Sequence, residues 1–375
     1  MRVSIAGYSI VSPYGIGAEK TFQSVLEGNS MVQLNSDAEL SPIPTYVSKF
    51  SEELFETIQI PNFTRLESMM IKSIEEACQQ SKANLENKNT LLVISTTKGN
   101  VDLLEAENHK GFEKKRTYLS EIGNQIQSYF RAQNKPIVIS NACISGGCSI
   151  ELANDLLQTE RYQNVVVCGG DVLSEFVLSG FRSFHALSDH RSMPYDKNRV
   201  GINLGEAAAT IVLSTEVKSD VELLSAASSN DANHISGPSR TGEGLFMAVQ
   251  NALKLASIQP DEISYISAHG TATNYNDEME SIAFGRCSLS ETPLNSFKGY
   301  FGHTLGAAGV IESVMAIQCL EQNKLIKSLG YSEHGVSEPL KVIKMTDSKE
   351  LKFILKTGSG FGGGNNALIF GKTDD

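Results

Sequence analysis

Short runs of β-branched and apolar residues alternate with longer stretches of helical period along most of the 375-residue chain. In the first half, RVSIAG (2–7), LLVIST (91–96), PIVIS (136–140) and NVVVCGG (164–170) predict strands. Several of these runs are apolar without alternation, as in strands buried on both faces. Between the last two, SGGCSIELANDLLQ (145–158) spaces Ile150, Ala153, Leu156 and Leu157 along one helical face, giving a βαβ unit. The second half repeats the plan. ELLSAAS (222–228), ISYISAHG (263–270), PLNSF (293–297), LKFILKTG (351–358) and NNALIF (365–370) predict strands, and helices fall near 243–256, 276–286 and 306–321. The class is therefore α/β with buried sheets. No Pro/Gly/Ser-rich linker divides the chain, so we expect one compact unit of two similar halves, 1–215 and 216–375.

Composition narrows the function. A formal net charge of -11 disfavours a nucleic-acid partner, and the densest basic run, Lys114-Lys115-Arg116, reads as a solvated loop. With 41% hydrophobic residues the chain can bury a large core. No run approaches the roughly eighteen apolar residues that a membrane-spanning helix needs. The N-terminal stretch reads as a first strand, not a leader. The six cysteines show neither Cys-x-x-Cys spacing nor a small-domain framework, so no metal site and no disulfide scaffold is expected, and a reducing, cytoplasmic setting fits.

Candidate chemistry gathers at strand ends. Cys143, in VISNACISGGC (138–148), falls where a buried strand must turn into a helix. There the free N–H groups and the helix dipole favour a thiolate, although a buried structural cysteine is the competing interpretation, as it is for Cys168 and Cys319. His269 ends the strand of SYISAHG, and His303 follows SFKGYFG and precedes a helix. In open α/β sheets ligands collect at the carboxyl ends of strands, so these three side chains can converge. The other histidines, 109, 185, 190, 234 and 334, lack this setting. The C-terminal GSGFGGGNN (358–366) is not a dinucleotide fingerprint, because a strand and not a helix follows it. It reads either as a tight loop whose N–H groups approach a substrate, with Phe361 its one bulky side chain, or as an ordinary hairpin.

These segments, taken in order, resemble the β-ketoacyl-acyl-carrier-protein synthases, condensing enzymes of the thiolase-like superfamily. ACISGG is similar to the nucleophile segment, AHGTATNYNDEMES to the first histidine segment, SFKGYFGHTLGAAGVIES to the lysine and second histidine segment, and GSGFGGGNNALIF to the gating loop. MPYDKNRVGINLGEAAATIVL (193–213) is similar to the central segment. The resemblance implies a thiolase-like five-layered αβαβα sandwich of two pseudo-symmetric halves and a dimer, with itself or with a second synthase chain. It also implies a decarboxylative condensation of a Cys143-held acyl group with malonyl-acyl-carrier protein. His269 and His303 would act on the malonyl thioester and the N–H groups of Cys143 and Phe361 would form an oxyanion hole. Lys298 would be the site lysine with Glu312 as its partner, and Phe361 the gate. Thr271, Thr273 and Gly362 would meet substrate. No bound cofactor is implied, since phosphopantetheine arrives on the acyl carrier protein. Arg65, Lys72 and Arg191 are candidates for docking that acidic partner.

The central segment departs from the family pattern at Met193, Val200 and Ala207, which bears on the acyl pocket wall and the dimer surface. The chain is also short for the family, which hints at a specialised polyene, polyketide or pigment pathway. A thiolase would carry a second cysteine in the C-terminal glycine loop, and residues 357–366 have none. A tunnel-shaping partner subunit would have lost the nucleophile.

Overall fold

The structure, a computed structural model, describes residues 1–105, 111–231 and 237–373; His109 and His234 lie outside them. Ten strands form the main sheet path. In the first half these are β1 (Ser4–Ser12), β2 (Thr90–Ser95), β3 (Ile137–Ile139), β4 (Asn164–Asp171) and β5 (Ala207–Ser214), lying side by side as β3-β2-β4-β5-β1. The second half contributes β6 (Val221–Asn230), β7 (Ile263–Ser267), β8 (Leu294–Asn295), β9 (Phe353–Ser359) and β10 (Gly364–Lys372), in the order β8-β7-β9-β10-β6. The two orders are the same when each set is counted from its own first strand. The pairing matches as well: parallel at β3/β2 and β2/β4 as at β8/β7 and β7/β9, and antiparallel at the remaining pairs. The two sets meet edge to edge where Ser4 pairs with Glu222.

Helices fill three layers around these strands. The principal ones are α1 (Arg65–Ser81), α2 (Ser145–Gln158), α3 (Glu175–Ser183), α4 (Glu243–Ala256), α5 (Asn274–Arg286) and α6 (Ala308–Gln322). Helix α1 covers the outer face of β1, β5 and β4, and α4 that of β6 and β10, while α2 and α6 pack between the two sets of strands. The result is the αβαβα sandwich of the thiolase-like fold. α6 is buried almost all round, from Val310 to Leu320, and its sequence AGVIESVMAIQCL is accordingly apolar on nearly every face.

One contact in the central layer sets the geometry of the site. A Cβ on Gly309 would come within 2.4 Å of the Gly147 nitrogen, and one on Gly146 within 2.8 Å of the Val310 nitrogen. The N-terminal turns of α2 and α6 therefore touch backbone to backbone. This brings together the segments that precede those helices, which carry Cys143 and His303. Strand β5 was not expected as a separate strand. Its AAATIVLS sequence shows no alternation because all eight residues are buried, held between β1 and β4. Among the described residues no helix is long and apolar enough to cross a membrane, and no three His, Cys, Asp or Glu side chains are placed to hold a metal ion.

Candidate active site

Cys143 stands on a sharp elbow. Ala142, just before it, takes a left-handed φ of 44°, which a side-chain-bearing residue adopts only under constraint. The Ser145 hydroxyl supplies that constraint, accepting from the Asn141 N–H (2.8 Å) and donating to the Ala142 carbonyl (2.6 Å). α2 begins at Ser145, so the thiol lies at its N-terminal end. Burial nevertheless pushes the Cys143 thiol up, against the pull of Lys98, Lys298 and the Phe361 backbone N–H. Desolvation thus outweighs those two cations and that N–H, and the resting group is a thiol. The cysteines at 168 and 319 are fully buried core residues.

The glycine-rich segment is both things at once: residues 360–363 turn the β9–β10 hairpin, and they also lie against the nucleophile. A Cβ on Gly360 would sit 3.1 Å from the Cys143 nitrogen, so glycine lets the loop come this close. Phe361 stacks on Phe181 (5.7 Å, 28°) and meets Phe184 edge-on (5.4 Å). Gly362 is exposed at the outside of the turn, its carbonyl accepting from Asn230 Nδ2 (3.1 Å).

Both histidines are fixed through their backbones, which leaves the rings free. The N–H groups of His269 and Gly270 donate to the two oxygens of Glu280 (2.9 and 2.8 Å), and the Thr271 N–H donates to Asp277 (3.0 Å). Asp277 and Glu280 are three residues apart in the first turns of α5. Burial raises their pKa values to about 6 and about 7. His303 is clamped by the central segment: its N–H donates to the Asn203 carbonyl (2.7 Å) and its carbonyl accepts from the Gly205 N–H (3.0 Å). Neither ring nitrogen of His303 has a hydrogen-bond partner. Burial, reinforced by Lys298, holds both imidazoles well below their usual range, so both are neutral.

Cys143, His269, His303, Thr271, Thr273 and Phe361 all line one cavity of about 360 Å³. Thr271 and Thr273 share a hydrogen bond between hydroxyls (2.8 Å). Val200, one of the departures in the central segment, lies on the cavity wall, as does the exposed loop residue His185. Lys298 is fully buried and ion-paired with Glu312. Cys143, His269, His303 and Phe361 are therefore gathered at one place, with Lys298 and Glu312 packed behind them.

The docking candidates differ in how free they are. Arg65 binds Glu206 (2.7 Å) and lies over the Phe55 ring (3.9 Å), so most of its charge is spent inside the fold. Lys72 pairs with Glu75 (3.0 Å). Arg191 is exposed, its Nε donating to the Val32 carbonyl (3.0 Å).

Several residues escaped the sequence analysis. Asp277 and Glu280 were readable in principle, as two acids at i, i+3 within the first histidine segment. Asp171 ends β4 and accepts from Thr96, Thr97 and Gly306, tying three loops together under the site. Lys98 and Lys356 gave no signal, because a lone lysine in a loop or strand reads as a surface charge.

A buried thiol, two neutral imidazoles and a backbone N–H around one cavity make up a site for acyl transfer and carbanion chemistry. Comparison with known proteins agrees. Residues 1–219 match the family profile "Beta-ketoacyl synthase, N-terminal domain" and residues 221–332 match "Beta-ketoacyl synthase, C-terminal domain". The chain belongs to the β-ketoacyl synthase family and is a condensing acyltransferase of fatty-acid or polyketide-type synthesis. It is 26% identical to a putative mitochondrial 3-oxoacyl-[acyl-carrier-protein] synthase of Schizosaccharomyces pombe, over 99% of each chain. It is 27% identical to 3-oxoacyl-[acyl-carrier-protein] synthase 2 of Rhizobium meliloti, over 98% of each. Its fold is similar to that in a solved complex of a ketosynthase with its chain length factor from Xenorhabdus doucetiae (TM-score 0.90, 23% identity, 99% of this chain and 98% of that one).

Proposed function

We propose that Cys143 carries the growing acyl chain and that His269 and His303 drive the decarboxylation of a malonyl thioester beside it. The supporting observation is the shared cavity, in which the thiol, both neutral rings and the Phe361 N–H face one space. In the first stage Cys143 Sγ displaces the thiol of an acyl carrier protein. The acyl–S bond to the carrier breaks, a new one forms to Cys143, and the proton leaves with the phosphopantetheine thiol. The N–H groups of Cys143 and Phe361 hold the tetrahedral oxyanion.

In the second stage a malonyl thioester enters and its carboxylate leaves as CO2. The electrons of that bond pass into an enolate whose oxygen accepts hydrogen bonds from the two neutral imidazoles. The carbanion attacks the Cys143 thioester, Cys143 departs as thiolate and regains a proton, and β-ketoacyl-carrier protein is released.

Thr271 and Thr273 contact the pantetheine arm. Gly362 gives the gating loop its turn while Phe361 moves to admit malonyl. Arg191 and Lys72 are the more available of the named cations for carrier docking. The protein works in the cytoplasm, as a dimer with itself or with a second synthase chain of the kind seen with the matched ketosynthases. Residues 1–215 and 216–375 are two halves of one ancestral plan, which the repeated strand order supports. Incubation with acyl- and malonyl-carrier protein tests the function: β-ketoacyl product with stoichiometric CO2 is expected, and acyl transfer without CO2 release would contradict it.

A further inference from the structure

Lys356 is an anomaly of the central layer. It sits inside β9, where Ile354 on the same face joins the apolar core and Leu355 on the opposite face joins another, yet Lys356 is only 2% exposed. An unpaired ammonium there would cost several kcal/mol. Its Nζ lies 2.9 Å from Glu312 Oε2 and also donates to the Thr357 carbonyl. The other Glu312 oxygen is taken by Lys298. One buried carboxylate thus serves two buried lysines, where packing alone would favour an apolar residue. Burial lowers the Lys356 pKa, but the Glu312 carboxylate beside it opposes that shift, and with its ammonium charged the cluster carries an excess positive charge.

We propose that Lys356 is a positioning residue for the condensation: by occupying the second oxygen of Glu312 it leaves the Lys298–Glu312 pair with an excess positive charge that faces the two histidines. The reason lies in the substrate. A malonyl carboxylate entering beside His269 and His303 draws protons onto the rings, and an imidazolium delivers a proton to the enolate before it can attack. A fixed positive charge behind the rings opposes that protonation. It also favours the charge that develops on the thioester oxygen.

The groups bearing on His269 are Lys298, His303 and Lys356, with the Glu280 carboxylate on its backbone N–H. Those bearing on His303 are Lys298, Lys98 and Lys356, with the His269 ring beside it. Among the described residues, Lys298 and Lys356 are the cations that bear on both rings.

The inference rests on the roles proposed above for Cys143 and the histidines, and its test separates the two. Malonyl-carrier-protein decarboxylation is measured against pH for the full-length protein, Lys356→Met, of similar length and uncharged, and Lys356→Arg, which keeps the charge. Cys143 acylation is read alongside by intact mass. In Lys356→Met the acid limb of kcat moves to higher pH by about one unit, and kcat at pH 7 falls about tenfold with KM little changed. Lys356→Arg restores the position of the limb. Superimposable profiles for Lys356→Met and the parent, with Cys143 acylated in both, would overturn this inference alone. So would a Lys356→Met protein that fails to fold while Lys356→Arg folds with its limb displaced, since Lys356 would then serve the fold only. Absence of Cys143 acylation in the parent would overturn the site assignment and the inference with it.

Discussion

The imidazole rings of His269 and His303 meet edge to face, with 5.3 Å between centroids and 87° between planes. They come from different loops of the second half, and each is held by its backbone rather than by its ring nitrogens. Two neutral N–H donors at this spacing can address one enolate oxygen. His269→Ala and His303→Ala are each expected to lower malonyl decarboxylation by about 10²–10³-fold, the usual cost of one such donor. CO2 release from malonyl-carrier protein measures this, while intact mass follows acyl loading separately. A loss in loading as large as that in decarboxylation would place the histidines in the first stage instead.

Glu280 acts on His269 only through the main chain. Glu280→Ala strands the N–H groups of His269 and Gly270 and the Tyr195 hydroxyl, which donates to Glu280 at 3.0 Å. A stranded buried donor costs about 1–3 kcal/mol. Thermal unfolding should show a lowered Tm, and decarboxylation should fall more than Cys143 acylation. Glu280→Gln, which keeps one acceptor, should lie between the two.

Gly360→Ala would place a methyl group 3.1 Å from the Cys143 nitrogen. The loop must then retreat and carry the Phe361 N–H away from the thiol. Acylation of Cys143 is expected to fall by about 10²-fold, the scale of a lost oxyanion donor, with a smaller change in Tm. Unchanged acylation would show that the Phe361 N–H has no part in the oxyanion hole.

Much of this was legible in advance, for identifiable reasons. Strands with apolar runs and helices with one apolar face declared themselves, and the strand-end positions of Cys143, His269 and His303 followed from the alternation of the two. β5 was harder, because it opens on Ala207-Ala208-Ala209, residues of low β propensity, where the similarly buried β2 and β4 are rich in Val, Ile and Leu. The i, i+3 spacing of Asp277 and Glu280 was visible, but their burial, like that of the cation Lys356, was not. Whether an ionisable side chain points to water or to a partner depends on contacts between residues far apart in the chain, such as Lys356 and Glu312, and local pattern carries no trace of them. At Cys143 burial opposes the ionisation that a helix N-terminus favours, and the depth of that burial is not written in the local sequence.

The pH dependence should reflect those opposing effects. Because burial raises the Cys143 thiol above its ordinary value, thiolate accumulates only at high pH, and its alkylation by iodoacetamide should keep accelerating through pH 9. A plateau below pH 8 would contradict the assigned direction. Because both histidines titrate well below 6.5, their neutral forms persist down through pH 6.5, so decarboxylation should be level from there to pH 8 and fall only at more acid pH.

The most direct test is intact-mass analysis of the purified protein after exposure to acyl-carrier proteins of increasing chain length. A single acyl adduct is expected, mapped by peptide digestion to Cys143 and absent from Cys143→Ala. An adduct that survives in Cys143→Ala on any of the other five cysteines would contradict the assignment of the nucleophile.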